Sequence, residues 1–190
     1  MSELKYLELL SRSFRNIAET STEIINLQAI LNLPKGTEHF LSDIHGEYEA
    51  FAHVLRNGSG NIREKIENIF RESLTELEKK ELATVIYYPE AKYDLMEEKG
   101  RNMDKWIKKT IYRLIEVCRV ASGKYTRSKV RKAMPEDFEY IIQELLYEHR
   151  KVNYKKDFVD SIIDTIISLK CSRDFLLAIS ELIRWLSIDM

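Results

Sequence analysis

Apolar residues recur every three or four positions along most of the chain, the spacing that places them on one face of an α-helix. The first segment shows this spacing with Leu4, Leu7 and Leu10. Only six Gly and three Pro occur, which favours long helices over many short strands. The pattern predicts α-helices over residues 3–17, 21–31, about 47–56, 62–72, 75–88, 102–122, 126–133, 135–149, 154–170 and 172–188.

Single residues indicate where several of these helices begin. Thr75 and Glu78 have the spacing of a capping box, in which each side chain bonds the backbone of the other residue. Pro135 suits the first position of its helix, where a missing N–H costs nothing. Ser172 can cap the last helix. Residues 89–101 show the weakest helical pattern and are predicted to form a loop.

Residues 37–42 interrupt the helical pattern. They follow the turn-forming NLPKG at 32–36 and contain Phe40 and Leu41, which predicts a short β-strand. A single strand leaves its backbone groups unpaired, so its partners are expected across an interface or in sequence not present here. The predicted fold class is mainly α, a helical bundle-like region with one or two short strands.

The charge balance argues against nucleic acid as a partner. Thirty Lys and Arg face 31 Asp and Glu, for a net charge of −1, whereas a nucleic-acid-binding domain carries a basic surface. The basic run KYTRSKVRK at 124–132 lacks a surrounding basic field and is interpreted as a solvated helix face. No binding to nucleic acid is therefore expected.

The chain is expected to be soluble and cytoplasmic. Its first residues carry charges inside every apolar run, unlike a signal peptide, and no window is apolar enough to cross a membrane. The two cysteines, Cys118 and Cys171, lie in apolar helical contexts without CxxC spacing. Both are predicted to be reduced thiols, which fits a reducing compartment.

The motif SDIHGE at 42–47 carries the clearest chemistry. Side chains two positions apart on an extended segment point to the same side, so Asp43 and His45 can face one metal ion. A carboxylate and an imidazole suit manganese, iron or zinc. Gly46 lets the backbone turn, and the helix that follows directs its N-terminus, which favours anions, towards the same place. The alternative is a helix-capping Asp followed by an ordinary turn histidine.

The remaining candidates are weaker. The other histidines, His39, His53 and His149, form no recognisable ligand spacing with the motif. Glu47 can orient a metal ligand by a hydrogen bond, or simply favour the dipole of its own helix. Arg63 follows the glycine-containing NGSG and is a weak candidate for contacting a substrate phosphate, the alternative being that this segment is only a helix end and turn.

The run FLSDIHGEYEAFAHVLRNGSGNIREKI at 40–66 resembles the first motif of the class III fructose-1,6-bisphosphatases of Firmicutes, within the calcineurin-like metallophosphoesterases. The resemblance extends along the whole chain. It implies hydrolysis of the 1-phosphate of fructose 1,6-bisphosphate in cytoplasmic gluconeogenesis, with two manganese ions. It also implies that Asp43 and His45 bind one metal of the pair.

The chain departs from that family pattern after its first motif. The family continues with G-D-x-x-D-R-G and G-N-H-[DE], but this sequence contains neither a Gly-Asp nor an Asn-His dipeptide. The expectation is an N-terminal fragment of an α/β metallophosphoesterase, inactive alone and without a complete catalytic set. Residues 1–61 would hold the N-terminal helices, first strand and D-x-H-G motif, and residues 62–190 a helical insertion.

Two other functions stay open at this stage. One is a free-standing helical interaction or regulatory module without catalysis, which predicts a satisfied apolar surface. The other is a complete small hydrolase whose remaining ligands come from scattered Asp and Glu. A small sugar phosphate is the expected partner of the phosphatase, and a homo-oligomer is possible in either case.

Overall fold

The computed structural model describes residues 3–35, 38, 40–100, 102–147 and 153–188, the last range without the side chains of 153–155. These residues form α-helices joined by short turns, which confirms the mainly α prediction. The helices are α1 (Glu3–Ser13), α2 (Ile17–Ile30), α3 (Tyr48–Asn57), α4 (Asn61–Phe70), α5 (Glu76–Tyr87), α6 (Pro89–Glu98), α7 (Met103–Ser122), α8 (Arg127–Lys132), α9 (Glu139–Tyr147), α10 (Asn153–Ser168) and α11 (Ser172–Ile188).

The chain divides into two compact units, residues 1–35 and 36–190. The first contains α1 and α2, and neither helix has a buried residue. Asn16 caps α2 by accepting a hydrogen bond from the Glu19 amide at 2.9 Å. The apolar stripe of these helices is therefore exposed within its own unit, including Leu4, Leu7, Ile24, Ile25 and Leu31.

The second unit is organised around α7. This helix packs against α4, α5, α9, α10 and α11, with the most extensive contact to α11. Ile107, Ile111, Leu114 and Cys118 recur at helical spacing on α7, and all four are buried. A helix with neighbours on several sides buries a wide apolar face, which explains why its pattern is so regular. On α11 the matching buried residues are Phe175, Leu176, Ile179, Leu182, Ile183 and Leu186.

Residues at the start of α5 form its N-terminal cap and also bind side chains of α7. Thr75 and Glu78 form the predicted capping box, with the Glu78 amide donating to Thr75 Oγ1 at 3.3 Å. The Glu78 carboxylate also accepts hydrogen bonds from Lys109 at 2.8 Å and Arg113 at 2.7 Å, both on α7. These donors hold the pKa of Glu78 well below its usual range.

The prediction of a strand at 37–42 is wrong for residues 38 and 40–42, which the structure describes. Phe40, Leu41 and Ser42 lie in irregular backbone, and no strand occurs in the described part of the chain. Phe40 is 89% exposed. A strand needs a neighbouring strand for its hydrogen bonds, and none is present here. Thr37 and His39 lie outside the described residues, as does His149.

Three predictions about helix ends are corrected. Residues 89–98, predicted as loop, form α6, which begins at Pro89 and buries Met96. Pro135 does not start a helix, because α9 begins only after Phe138, whose φ of +63° interrupts helical backbone. Ser172 is the first residue of α11, but its hydroxyl donates to the Ile166 carbonyl at 3.5 Å instead of capping.

Within the described ranges, none of the helices combines the length and apolar character needed to cross a membrane.

Candidate metal-binding motif

The D-x-H-G motif forms a tight turn immediately before α3. The Glu47 amide donates to the Ile44 carbonyl at 2.9 Å, which closes the turn. His45 and Gly46 both adopt left-handed backbone, with φ of +49° and +75°. Glycine adopts this conformation freely, whereas histidine does so at a cost. A Cβ added at Gly46 would meet no atom within 4 Å, so the space beside the turn is open.

The turn brings the two predicted ligands together. Asp43 Oδ2 lies 2.7 Å from His45 Nε2, and the side chains are 65% and 77% exposed. Two donors bound to one metal ion at right angles, with bonds of about 2.1 Å, lie roughly 3 Å apart. The observed 2.7 Å is a direct hydrogen-bond contact, slightly shorter than that separation, so the two donor atoms lie close to the positions of two ligands of one ion. Asp43 does not cap α3, whose N-cap is Glu47, so the helix-capping alternative is wrong.

The motif supplies only part of a metal site. A catalytic zinc site, for comparison, uses three protein ligands, and a two-metal site uses more. No cluster of three or more His, Cys, Asp or Glu that could hold a metal exists among the described residues. This observation gives no support to a complete small hydrolase built from scattered carboxylates.

The weaker candidates lie in different places. Glu47 occupies the N-cap position of α3 without a capping hydrogen bond from its side chain. Its action on a metal ligand stays a prediction. Arg63 lies in the first two turns of α4 and lines a cleft together with residues of α3 and α5. Its contact with a substrate phosphate also stays a prediction.

This cleft between α3, α4 and α5, the α3–α5 cleft, has a volume of about 370 Å³. His53 Nδ1 lies 2.8 Å from the Tyr88 hydroxyl, and the two rings are parallel at a centroid distance of 5.9 Å. These residues are 35 positions apart, so no local motif could have indicated that they meet. The cleft is lined by His53, Arg63, Glu67, Glu76, Lys79, Lys80, Ala83, Thr84, Tyr87 and Tyr88.

Both cysteines are free thiols, as predicted. Cys118 is fully buried on α7, and Cys171 is half-buried just before α11, where its Sγ contacts the Ile166 carbonyl oxygen at 3.4 Å. Neither takes part in the motif or the α3–α5 cleft.

Comparison with known proteins gives consistent results over nearly the whole chain. A family model described as Firmicute fructose-1,6-bisphosphatase matches residues 5–190. The chain is 66% identical over 189 residues to a class 3 fructose-1,6-bisphosphatase of Fusobacterium nucleatum, covering 99% of this chain and 29% of that protein. It is 55% identical over 188 residues to the protein of the same name from Clostridioides difficile, covering 99% of this chain and 28% of the relative.

A third relative, the class 3 fructose-1,6-bisphosphatase of Clostridium acetobutylicum, is 60% identical over 186 residues, which is 98% of this chain and 28% of that protein. The chain thus spans less than a third of the length of the curated relatives it matches. No solved structure matches it.

Proposed function

We propose, since the chain belongs to the Firmicute fructose-1,6-bisphosphatase family, that it is the N-terminal portion of an enzyme that hydrolyses fructose 1,6-bisphosphate to fructose 6-phosphate and phosphate. The names of the relatives support this substrate and reaction. The observation that carries the proposal is the convergence of Asp43 and His45 in a D-x-H-G turn, with donor atoms 2.7 Å apart. The enzyme would act in gluconeogenesis in the cytoplasm.

Asp43 and His45 would hold one manganese ion of a metal pair. Such a pair lowers the pKa of a bound water and neutralises charge on phosphate oxygens. The protein's own contribution here is positional. The turn closed by Glu47 holds the carboxylate and the imidazole side by side, and the open space beside Gly46 leaves room for a ligand to approach.

We also propose that the remaining metal ligands and the partner strands of the α/β metallophosphoesterase fold belong to the portion of the relatives that this chain does not span. Residues 1–61 would contribute the first motif to that fold, and residues 62–190 would form a helical insertion. The chain alone would then be inactive, because the motif supplies two ligands and the described residues offer no further cluster.

A chimeric enzyme tests this function directly. The corresponding segment of the Fusobacterium nucleatum relative, 66% identical, would be replaced by this chain. We expect the chimera to release phosphate from fructose 1,6-bisphosphate with manganese, and Asp43→Asn or His45→Ala to lower kcat/KM at least a hundredfold. Lys132→Ala, at an exposed residue of α8, serves as the control. A folded but inactive chimera beside an active parent, or a fully active Asp43→Asn chimera, would contradict the proposal.

The alternative of a free-standing helical module is less well supported. It predicts that apolar surface is satisfied within the chain. Within their own unit, α1 and α2 present apolar side chains without burying any of them. An exposed apolar stripe of this kind is expected of a segment that packs against further protein. Isolated helices of this length also gain most of their stability from such packing.

A further inference from the structure

We propose that the α3–α5 cleft binds a small phosphorylated molecule at a place separate from the D-x-H-G turn. The cleft is lined by residues of α3, α4 and α5, together with Tyr88, and neither Asp43 nor His45 contributes to it. Its volume of about 370 Å³ lies in the range of small-molecule sites. The proposal concerns this chain's own residues and does not require the metal site to be complete.

The two acidic residues of the cleft share one ammonium partner. Lys79 is only 7% exposed, and its Nζ lies 2.6 Å from Glu67 Oε1 and 3.0 Å from Glu76 Oε1. This ammonium is shielded from solvent, whereas the side chains of Glu67 and Glu76 are 53% and 65% exposed, and its charge-assisted hydrogen bonds hold both carboxylates beside it. The hydrogen bond from Lys79 also lowers the pKa of Glu76, so that this carboxylate stays ionised and engaged. Both acids thus have a cationic partner, and the charged residues that line the cleft, three basic and two acidic, sum to one net positive charge.

The remaining cations of the cleft have no ion-pair partner. Arg63 on α4 and Lys80 on α5 line the cleft, and within the described residues neither lies in an ion pair. Their field reaches the exposed Glu76 carboxylate, since both contribute to its lowered pKa. Arg56 adds a third positive charge nearby, with its Cζ 5.1 Å from the centre of the Tyr88 ring. Unpaired arginine and lysine side chains beside a concave surface are the usual ligands of phosphate groups.

One wall of the cleft suits a ring attached to that phosphate. His53 lies parallel to Tyr88, and its ring meets Tyr87 edge-on at 5.9 Å. The 2.8 Å contact between His53 and the Tyr88 hydroxyl holds this aromatic wall in place. Aromatic faces pack against the flat apolar sides of sugar rings and bases, while the hydroxyl and imidazole provide polar contacts.

A neighbouring cleft differs in how two of its cations are held. The cleft of about 340 Å³ between α5 and α7 also contains cationic residues, among them Lys109 and Arg113. There, both cations donate to the Glu78 carboxylate at 2.8 and 2.7 Å. Both of these cations are therefore engaged by a carboxylate, whereas Arg63 and Lys80 of the α3–α5 cleft lie in no ion pair among the described residues.

Binding to the metal-free 190-residue chain tests the proposal. Calorimetry and amide chemical shifts would follow titration with inorganic phosphate, fructose 6-phosphate and fructose 1,6-bisphosphate. We expect saturable binding that shifts amides of α3, α4 and α5. Arg63→Ala combined with Lys80→Ala should weaken it at least tenfold, which corresponds to one lost charge-assisted contact. The matched control replaces Arg131 and Lys132, an exposed Arg and Lys on α8, with Ala.

The controls decide the outcome. Circular dichroism would confirm that each variant is folded. The proposal is wrong if the Arg131 and Lys132 control weakens binding equally. It is also wrong if the amide shifts are spread over the chain and not confined to α3, α4 and α5, because the binding would then be nonspecific electrostatic attraction. Absence of any saturable binding by the three probes would also overturn it.

His53→Ala should reduce the preference for fructose 6-phosphate over inorganic phosphate, since it removes part of the aromatic wall.

Arg63→Ala combined with Lys80→Ala, placed in the chimeric enzyme, would show whether the phosphate bound in the cleft belongs to the substrate or to a separate ligand. A raised KM for fructose 1,6-bisphosphate with unchanged kcat would show that the cleft holds the substrate's second phosphate. An unchanged KM, with loss of any effect of added fructose 6-phosphate on the rate, would indicate a separate regulatory ligand. Both outcomes support the proposal. Because binding is measured without metal, its failure is distinct from a failure of the phosphatase assay.

Discussion

His45 occupies a backbone conformation that histidine adopts only at a cost. Its φ of +49° lies in the left-handed region, where an L-residue is less stable than glycine by about 1–2 kcal/mol. Unfavourable backbone retained beside a chemically active side chain is a common feature of functional sites. The strain therefore agrees with a role for the imidazole itself at this position.

This strain predicts an unusual order of stability. His45→Gly and His45→Ala both remove the contact with Asp43, but only glycine relieves the backbone. We expect the glycine variant to be more stable than the alanine variant by about 1 kcal/mol. Urea unfolding of both variants would measure the difference. If alanine proved equal or better, the left-handed turn would not be the conformation in solution.

The buried cysteine should resist alkylation. Burial raises the pKa of the Cys118 thiol to about 12, so it stays protonated at pH 8 and is also inaccessible. Cys171 is half-buried and nearer solvent. Mass spectrometry after timed iodoacetamide treatment should show Cys171 modified first, and both modified in urea. Rapid native labelling of Cys118 would contradict the packing described for α7.

Glu78 should make stability depend on pH at the acidic end. Hydrogen bonds from Lys109 and Arg113 lower its pKa in the folded protein, so the unfolded chain binds its proton more readily. Its contribution is present above the unfolded pKa of about 4.3 and is lost as pH falls below that value. The stability difference between the protein and Glu78→Gln, from urea unfolding, should be large at pH 7 and smaller at pH 3. Glu136 is exposed and lies in no ion pair with the residues that the structure describes, so Glu136→Gln should show no such trend.

At the scale of helices and turns, prediction from sequence worked where the apolar pattern was regular. The helices from α3 to α5 and α7 were predicted close to their observed ends. Of these, α4, α5 and α7 bury apolar residues, and α3 lies against α5 without a fully buried residue. The capping box at Thr75 and the pairing of Asp43 with His45 were also predictable, since both depend on residues close in sequence.

Non-local packing explains the misses. α6 looked like a loop because its sequence is mostly polar, yet Pro89 starts it and Met96 is buried by neighbouring helices. Phe138, directly before α9, has left-handed backbone, and its ring packs edge-on against Phe175 at a centroid distance of 5.5 Å. α9 therefore starts later than predicted. The aromatic wall of the α3–α5 cleft depends likewise on a contact between distant residues. Such contacts leave no spacing in the sequence.

The central position of α7 gives a direct stability prediction. Leu114 is fully buried on this helix, so Leu114→Ala should lower the free energy of unfolding by about 2–5 kcal/mol. Val120→Ala on the same helix is the control, because Val120 is exposed and its replacement should change stability far less. Urea unfolding followed by circular dichroism compares the two. Equal effects would mean that α7 is not the centre of the core.

For the whole molecule, the two units should differ in resistance to protease. α1 and α2 bury no residue, so local opening there should need little free energy, while the second unit has an extensive core. Limited trypsin digestion should cut first after Arg12, Arg15 or Lys35. A stable fragment beginning near residue 36 should accumulate. The thermal unfolding midpoint of this fragment should equal that of the intact chain. Early cleavage in α7 would refute this order.

The exposed stripe on α1 and α2 also matters for the fate of the polypeptide in a cell. Chaperones and quality-control proteases select chains by exposed apolar segments, and steady-state abundance follows from that selection. We therefore expect the half-life of the isolated 190-residue chain to depend on these two helices more than on its well-packed core. Covering the stripe with further protein would lengthen its lifetime without any change in the core.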